Sequence, residues 1–223
     1  MSKPLERNSP ATLSTGVQTD VRVVGTALYL LPVRTRVPLK FGAETLTSVT
    51  CARVQLCVED ADGNRATGWG ETPLSVQWVW PNTLSYSDRY ETLTDFCYRL
   101  AKAWSEFDGV GHPLEIGYDF IEQSLGDLLE EVNGERPSDA QMPWLAALTC
   151  CSAFDLALHD AYGVLHGVPV YETYNRSYMN RDLAFYLEDA NGSSERFAGK
   201  YPDDYLTLPR AQRLPVRHLV GGL

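Results

Sequence analysis

The sequence predicts an α+β protein, a three-stranded antiparallel meander followed by a three-helix bundle. Three observations point there. Apolar residues recur with a period of two up to about residue 72, and with a period near 3.6 from about residue 85 onward. The strand-like runs all precede the helix-like ones, which is the order of an α+β fold and not the alternation of a parallel sheet. Finally, the stretch Ala146–Tyr171 is apolar nearly all round, so it reads as a buried central helix rather than a surface one.

Residues 1–19 are rich in Ser, Thr, Pro and Asn without a period and read as a disordered tail. The first strand is expected over Val21–Leu31, where apolar and β-branched residues are dense. Pro38, Gly42 and several charges between residues 33 and 47 then suggest a long loop. Val49–Val58 alternates cleanly, Thr50, Ala52, Val54, Leu56 and Val58 falling on one face and Arg53 and Gln55 on the other. Asp60–Asn64 carries turn chemistry, and Arg65–Thr72 returns as the third strand.

Ser85 stands three residues before Asp88, a helix start in which a hydroxyl accepts from a free N–H and an acid sits at the positive end. Tyr90, Leu93, Cys97, Leu100 and Trp104 then form one seam. A second helix opens at Pro113, with Tyr118, Ile121, Leu125, Leu128 and Val132 as its seam and Asn133-Gly134 as its end. The third is entered at Pro143 and stopped by Gly167 and Pro169. After Asn175 the texture turns polar, aromatic and proline-punctuated, and Val216–Val220 reads as a short strand.

With 19 Lys and Arg against 29 Asp and Glu, the formal net charge is −10, which argues against nucleic acid or an anionic membrane as partner. No run has the length of a membrane span, and the N-terminus lacks the apolar core of a secretory signal. Five cysteines without C-x-x-C spacing fit reduced core thiols, so a cytoplasmic location is expected.

Few residues suggest chemistry on their own. Cys151, Asp155 and His159 share one side of the third helix, but no further ligand accompanies them, and a packed thiol with an Asp155–His159 hydrogen bond is the better account. Trp78 and Trp80 fit either a lid over a ligand or packing on the end of the sheet, and Lys40 either a ligand contact or a solvated loop lysine. Glu130-Glu131 and Asp203-Asp204 are sequence neighbours whose side chains diverge, so no metal site and no catalytic residue is assigned.

The third helix carries a resemblance. Ser152–Val170, SAFDLALHDAYGVLHGVPV, is similar to the A-I-D-x-A-L-x-D-x-x-G-x-x-x-G-x-P-V helix of the enolase superfamily, in the mandelate racemase and muconate lactonising branch. Gly68-Trp69-Gly70-Glu71-Thr72-Pro73 resembles the G-x-G-E-x-P run closing the third strand there, and Val37-Pro38-Leu39-Lys40-Phe41 the segment after its first strand. His159 and Val164 depart from a tryptophan and a lysine common in that helix. The resemblance implies that residues 20–175 are the N-terminal capping domain and residues 176–223 a linker with the first strand of a β/α barrel. Loops Arg34–Thr45 and Thr72–Pro81 would then roof the barrel mouth and be the most mobile ordered segments. Pro38, Lys40, Phe41, Glu71, Trp78 and Trp80 would be their substrate-specificity positions.

The chemistry of that family is proton abstraction next to a carboxylate, with magnesium stabilising the enediolate and a lysine or histidine as base, the lysine in a K-x-K strand. This sequence has no K-x-K, and a barrel takes about 250 residues. Magnesium and a small carboxylate substrate are therefore expected only with a complete barrel, which is expected to be truncated here. The first functional reading is the capping domain of a magnesium-dependent racemase, epimerase, dehydratase or cycloisomerase, inactive alone. The alternative is a stand-alone, non-catalytic oligomerisation or binding module derived from that domain. Either way self-association is expected.

Overall fold

The computed structural model describes residues 17–41, 44–207 and 211–216, and the chain divides between Asn180 and Arg181 into two compact units. In the first unit β1 (Val21–Phe41), β2 (Glu44–Asp60) and β3 (Arg65–Pro73) form an antiparallel meander. A two-residue strand, β4 (Val110–Gly111), pairs with the start of β1 and makes the sheet order β3-β2-β1-β4. The sequence reading lacked β4 because two residues carry no periodicity.

The helices are α1 (Val76–Val79), α2 (Tyr86–Glu106), α3 (Pro113–Phe120), α4 (Gly126–Gly134) and α5 (Trp144–His166). Their starts follow the sequence signals. Ser85 Oγ accepts from Asp88 N–H, and Pro113 occupies the first position of α3. Gly167 ends α5 in the left-handed region at φ 67°, with Val168 N–H donating back to Gly163 O. The expected single second helix is divided, because a π-helical turn at Ile121–Leu125 joins α3 to α4.

One face of the sheet is covered by helices. Ala52, Val54, Leu56 and Val58 of β2 are buried, and Arg53 and Gln55 point away, as the alternation requires. On β1 a bulge at Val24 changes the parity of the inward positions, from Val21 and Val23 to Thr26, Leu28 and Leu30. Thr26 then bonds Ala101 O of α2 at 2.7 Å. Behind the sheet, Trp104 of α2 stacks on Phe120 of α3 at 4.1 Å and lies parallel to Phe154 of α5 at 6.4 Å.

The closest joint in the core lies between β3 and α5. A Cβ on Gly68 would overlap backbone atoms of Ala157 and Ala161, and one on Gly70 those of Ala153 and Ala157. Side-chain-free strand positions thus meet a stripe of alanines, and backbone packs on backbone.

Two segments differ from the sequence reading. Residues 33–47 are not a long loop, because β1 and β2 continue as a two-stranded ribbon to Phe41 and Glu44. Pro38 sits in an irregularity where Thr35–Pro38 face a single residue, Thr47, the kind of place a ladder tolerates proline. Thr72–Pro81 is not a free loop either, since Leu74, Val76, Val79 and Trp80 are buried around α1.

The second unit, by itself, is built of short 3-10 turns at Leu183–Phe185, Glu195–Phe197 and Pro202–Tyr205, with no strand among its described residues. Asp182 organises it, accepting from Ala184 N–H and Gly199 N–H. Val216 is exposed and outside any element, and the rest of the expected strand Val216–Val220 lies outside the described residues, as do residues 1–16 of the expected tail.

Two comparisons test this packing by urea denaturation. Gly70→Ala should cause severe loss of stability, whereas Gly126→Ala, with nothing within 4 Å of the added carbon and helical φ −61°, should be stabilising by about 1 kcal/mol. Phe154→Ala, at a fully buried ring, should cost about 3–5 kcal/mol. Equal behaviour of the two glycine variants would contradict the backbone contact.

Candidate functional site

The positions singled out by sequence fall into three settings. Pro38 and Lys40 are exposed on the ribbon, and Phe41 is the last residue of β1. Glu71 lies on the outward face of β3, where it accepts from Arg53 Nε at 2.6 Å across the β2–β3 ladder. Trp78 is exposed on α1, but Trp80 is buried, with the Arg136 guanidinium 5.2 Å over its ring and Arg89 donating to its carbonyl at 2.7 Å. Trp80 therefore packs in the core, the second of the two settings that the sequence left open for it. The structure does bring the ribbon and α1 to one end of the sheet, since Leu74 N–H bonds Thr50 O where β2 leaves the ribbon.

The trio on α5 does not converge. Cys151 is buried, and that burial pushes its thiol up to about 12, an unreactive state. His159 Nδ1 lies 2.9 Å from the main-chain carbonyl of Asp155 and 3.7 Å from its carboxylate. The expected i, i+4 bond exists, but its acceptor is the backbone. Among the described residues no group of three or more His, Cys, Asp or Glu is placed to hold a metal ion. Of the acid pairs noted in the sequence, Glu131 is paired with Arg99 and Asp204 with Lys200.

Sequence reasoning missed two sites. One is a depression of about 390 Å³ between β3, α5 and the turn after it, lined by Trp69, Asp155, His159, Asp160, Tyr171 and Tyr174 among others. Asp160 Oδ2 accepts from Trp69 N–H at 2.8 Å and thereby caps a donor on the edge strand. Burial raises Asp155, a shift that His159 opposes, and it pushes Tyr174 up to about 12.

The other is a buried polar hub at the entry to α3. His112 is fully buried and caps the helix. Its Nδ1 accepts from Leu114 N–H at 3.2 Å, so the proton resides on Nε2, which faces Thr173 Oγ1 at 2.9 Å. Glu115 closes the capping box by accepting from His112 N–H and also accepts from Asn180. Asn180 reaches on to Asp20 and Val17, tying the start of β1 to this helix end. The one local signal was His112-Pro113 with Glu115 three residues after the histidine; its partners lie far away in the chain.

No sequence-family model matches the chain, and no curated protein matches it. Solved structures of enolase-superfamily proteins do. The L-Ala-D/L-Glu epimerase from Bacillus subtilis matches at TM-score 0.43 and 17% identity, over 69% of this chain and 34% of its own. The dipeptide epimerase from Cytophaga hutchinsonii, complexed with Mg and a dipeptide, matches at TM-score 0.38 and 21% identity, over 70% and 32%. A mandelate racemase/muconate lactonizing enzyme-like protein from Rubrobacter xylanophilus gives TM-score 0.36 and 20% identity, over 70% and 34%. The chain spans about a third of the length of these structures.

His112 makes the fold acid-sensitive. Burial lowers its pKa from 6.5 to about 3, with His159 and His166 adding repulsion. Between those values the unfolded chain takes up a proton that the native ring refuses. This contribution is therefore fully present above pH 6.5 and is lost as pH falls, by about 1.4 kcal/mol per pH unit across that window. His112→Asn, which keeps a capping side chain, should flatten the acid limb of the stability–pH curve between 6.5 and 4; an unchanged limb would assign the acid sensitivity elsewhere.

Proposed function

We propose that residues 20–175 are a capping domain of the enolase superfamily, mandelate racemase and muconate lactonising branch, which shapes a substrate site and does no chemistry of its own. One observation supports this above the others. The two motifs that carry the sequence resemblance, Gly68–Pro73 and Ser152–Val170, are each other's packing partners, Gly68 and Gly70 receiving Ala153, Ala157 and Ala161. Two runs about 80 residues apart that match one family's pattern and also interlock are better explained as one inherited joint than as two coincidences.

Specificity positions on this reading are those that core packing leaves free at the ribbon end of the sheet, Pro38 and Lys40 on the ribbon and Trp78 on α1, together with Phe41 as the last residue of β1. The substrate would be a small carboxylate held by a barrel, with magnesium bound there and not by this chain. The reaction would be racemisation, epimerisation, dehydration or cycloisomerisation by proton abstraction. The ribbon keeps Val33, Val37 and Leu39 exposed, so the chain alone should self-associate.

The test combines three measurements on the purified chain. Magnesium titration should give no saturable heat. Incubation in D₂O with magnesium and a panel of 2-hydroxy acids and dipeptides should give no exchange next to the carboxylate. Sedimentation should show concentration-dependent association. Saturable micromolar magnesium binding by a clean monomer, or exchange by the chain alone, would overturn the reading.

A further inference from the structure

We propose that the outward face of the sheet is an interface with a second copy of this chain, the two faces packed on each other about a two-fold axis that runs across the strands. This goes beyond the capping reading and does not rest on it, because it uses neither the ribbon nor α1.

The register lays the face out in rows that cross β1, β2 and β3. The first row is Arg22, Glu59 and Arg65, and the fourth is Tyr29, Arg53 and Glu71; the rows of Cys57 and of Gln55 lie between them. These positions alternate with the buried ones of β2, so their side chains point away from the helices. Two large rings are left in water here. Tyr29 is 45% exposed and Trp69 47%, and they lean together across β2 with centroids 5.9 Å apart. Exposed aromatic surface of this kind marks contact surfaces. Charge does not keep two copies apart at this face. The chain carries a net −10, yet the two outer rows hold three arginines against two glutamates.

The pattern of those charges selects the partner. Consider an axis lying in the interface, perpendicular to the strands, midway between the Cys57 and Gln55 rows. It sets the first row of one copy opposite the fourth row of the other and keeps each strand opposite itself. Glu59 then meets Arg53 of the second copy, Arg65 meets its Glu71, and Arg22 meets the ring of its Tyr29. Each contact occurs twice. An axis on the Cys57 row or on the Gln55 row would leave no charge opposite another. An axis along β2 would set Glu59 on Glu59 and Arg53 on Arg53. One arrangement therefore answers the charges of this face with the same face. By strand and residue spacing the four rows span about 30 by 15 Å, so two such faces with their side chains remove on the order of 1,000 Å² from water, enough for a weak specific dimer.

The experiment is sedimentation equilibrium of the full chain at pH 7.5, with Arg65→Glu and Glu71→Arg, both at exposed positions. The unaltered chain should dimerise with a Kd of about 10–100 μM. Either variant alone sets like charges opposite each other at both symmetric contacts and should dimerise at least about tenfold more weakly. An equimolar mixture of the two restores opposite charges at both contacts, and its dimer should return to within about threefold of the unaltered chain. Damage to folding cannot produce that recovery. Val37→Asp, on the ribbon, should leave this dimer in place. A monomer up to ~500 μM, or a mixture no better than the single variants, would overturn the interface. Association abolished by Val37→Asp alone would also overturn it, while leaving the capping reading standing.

Discussion

The contact of Gly68 and Gly70 with the alanine stripe of α5 is the constraint on which the first unit depends. Because no Cβ stands between them, α5 lies directly on β3 and reaches over β2. That closeness places Asp160 within 2.8 Å of the Trp69 N–H, so an edge strand is partly capped by the helix lying over it. It also fixes how far Phe154 projects toward Trp104, and hence how α2 and α3 close the core. A longer side chain at either glycine would lift α5 and disturb all of these contacts together.

The polar hub around His112 is the second tie, of a different kind. The glycine joint is apolar and insensitive to pH, whereas the hub holds a neutral imidazole, a buried carboxylate and Asn180 in one hydrogen-bonded set. It fastens the start of β1 to the residues following α5, segments far apart in sequence. Such a network specifies one arrangement while it is fully satisfied, and it becomes the point of failure once a member changes charge.

Much of the fold was legible because its signals are local. Ser85, Pro113 and Gly167 mark helix ends through bonds spanning only a few residues, and the alternation of β2 is visible along its own chain. The ribbon was less legible. Val33, Val37 and Leu39 do alternate with Arg34, Arg36 and Lys40, but Pro38 and Gly42 read as breakers, and only the partner strand shows that Thr35–Pro38 bulge around Thr47. Trp78 and Trp80 looked equivalent two residues apart, and only the turn of α1 separates an exposed ring from a buried one. The depression was illegible for the same reason: Trp69 and Tyr174 meet Asp155 through tertiary packing, and no spacing encodes it.

This division bears on what a resemblance can say about function. The motif residues Gly68, Gly70, Ala153, Ala157 and Ala161 are engaged in the glycine joint, and Asp160 in capping a strand. Residues held by packing are constrained by the architecture whatever reaction it serves, so their presence identifies a scaffold and is silent on substrate. Substrate choice has to reside where side chains can change without moving backbone. On the capping reading proposed above, that means exposed positions such as Lys40 and Trp78. In this chain the residues that carry the resemblance and the exposed residues that packing leaves free to vary are therefore largely different sets.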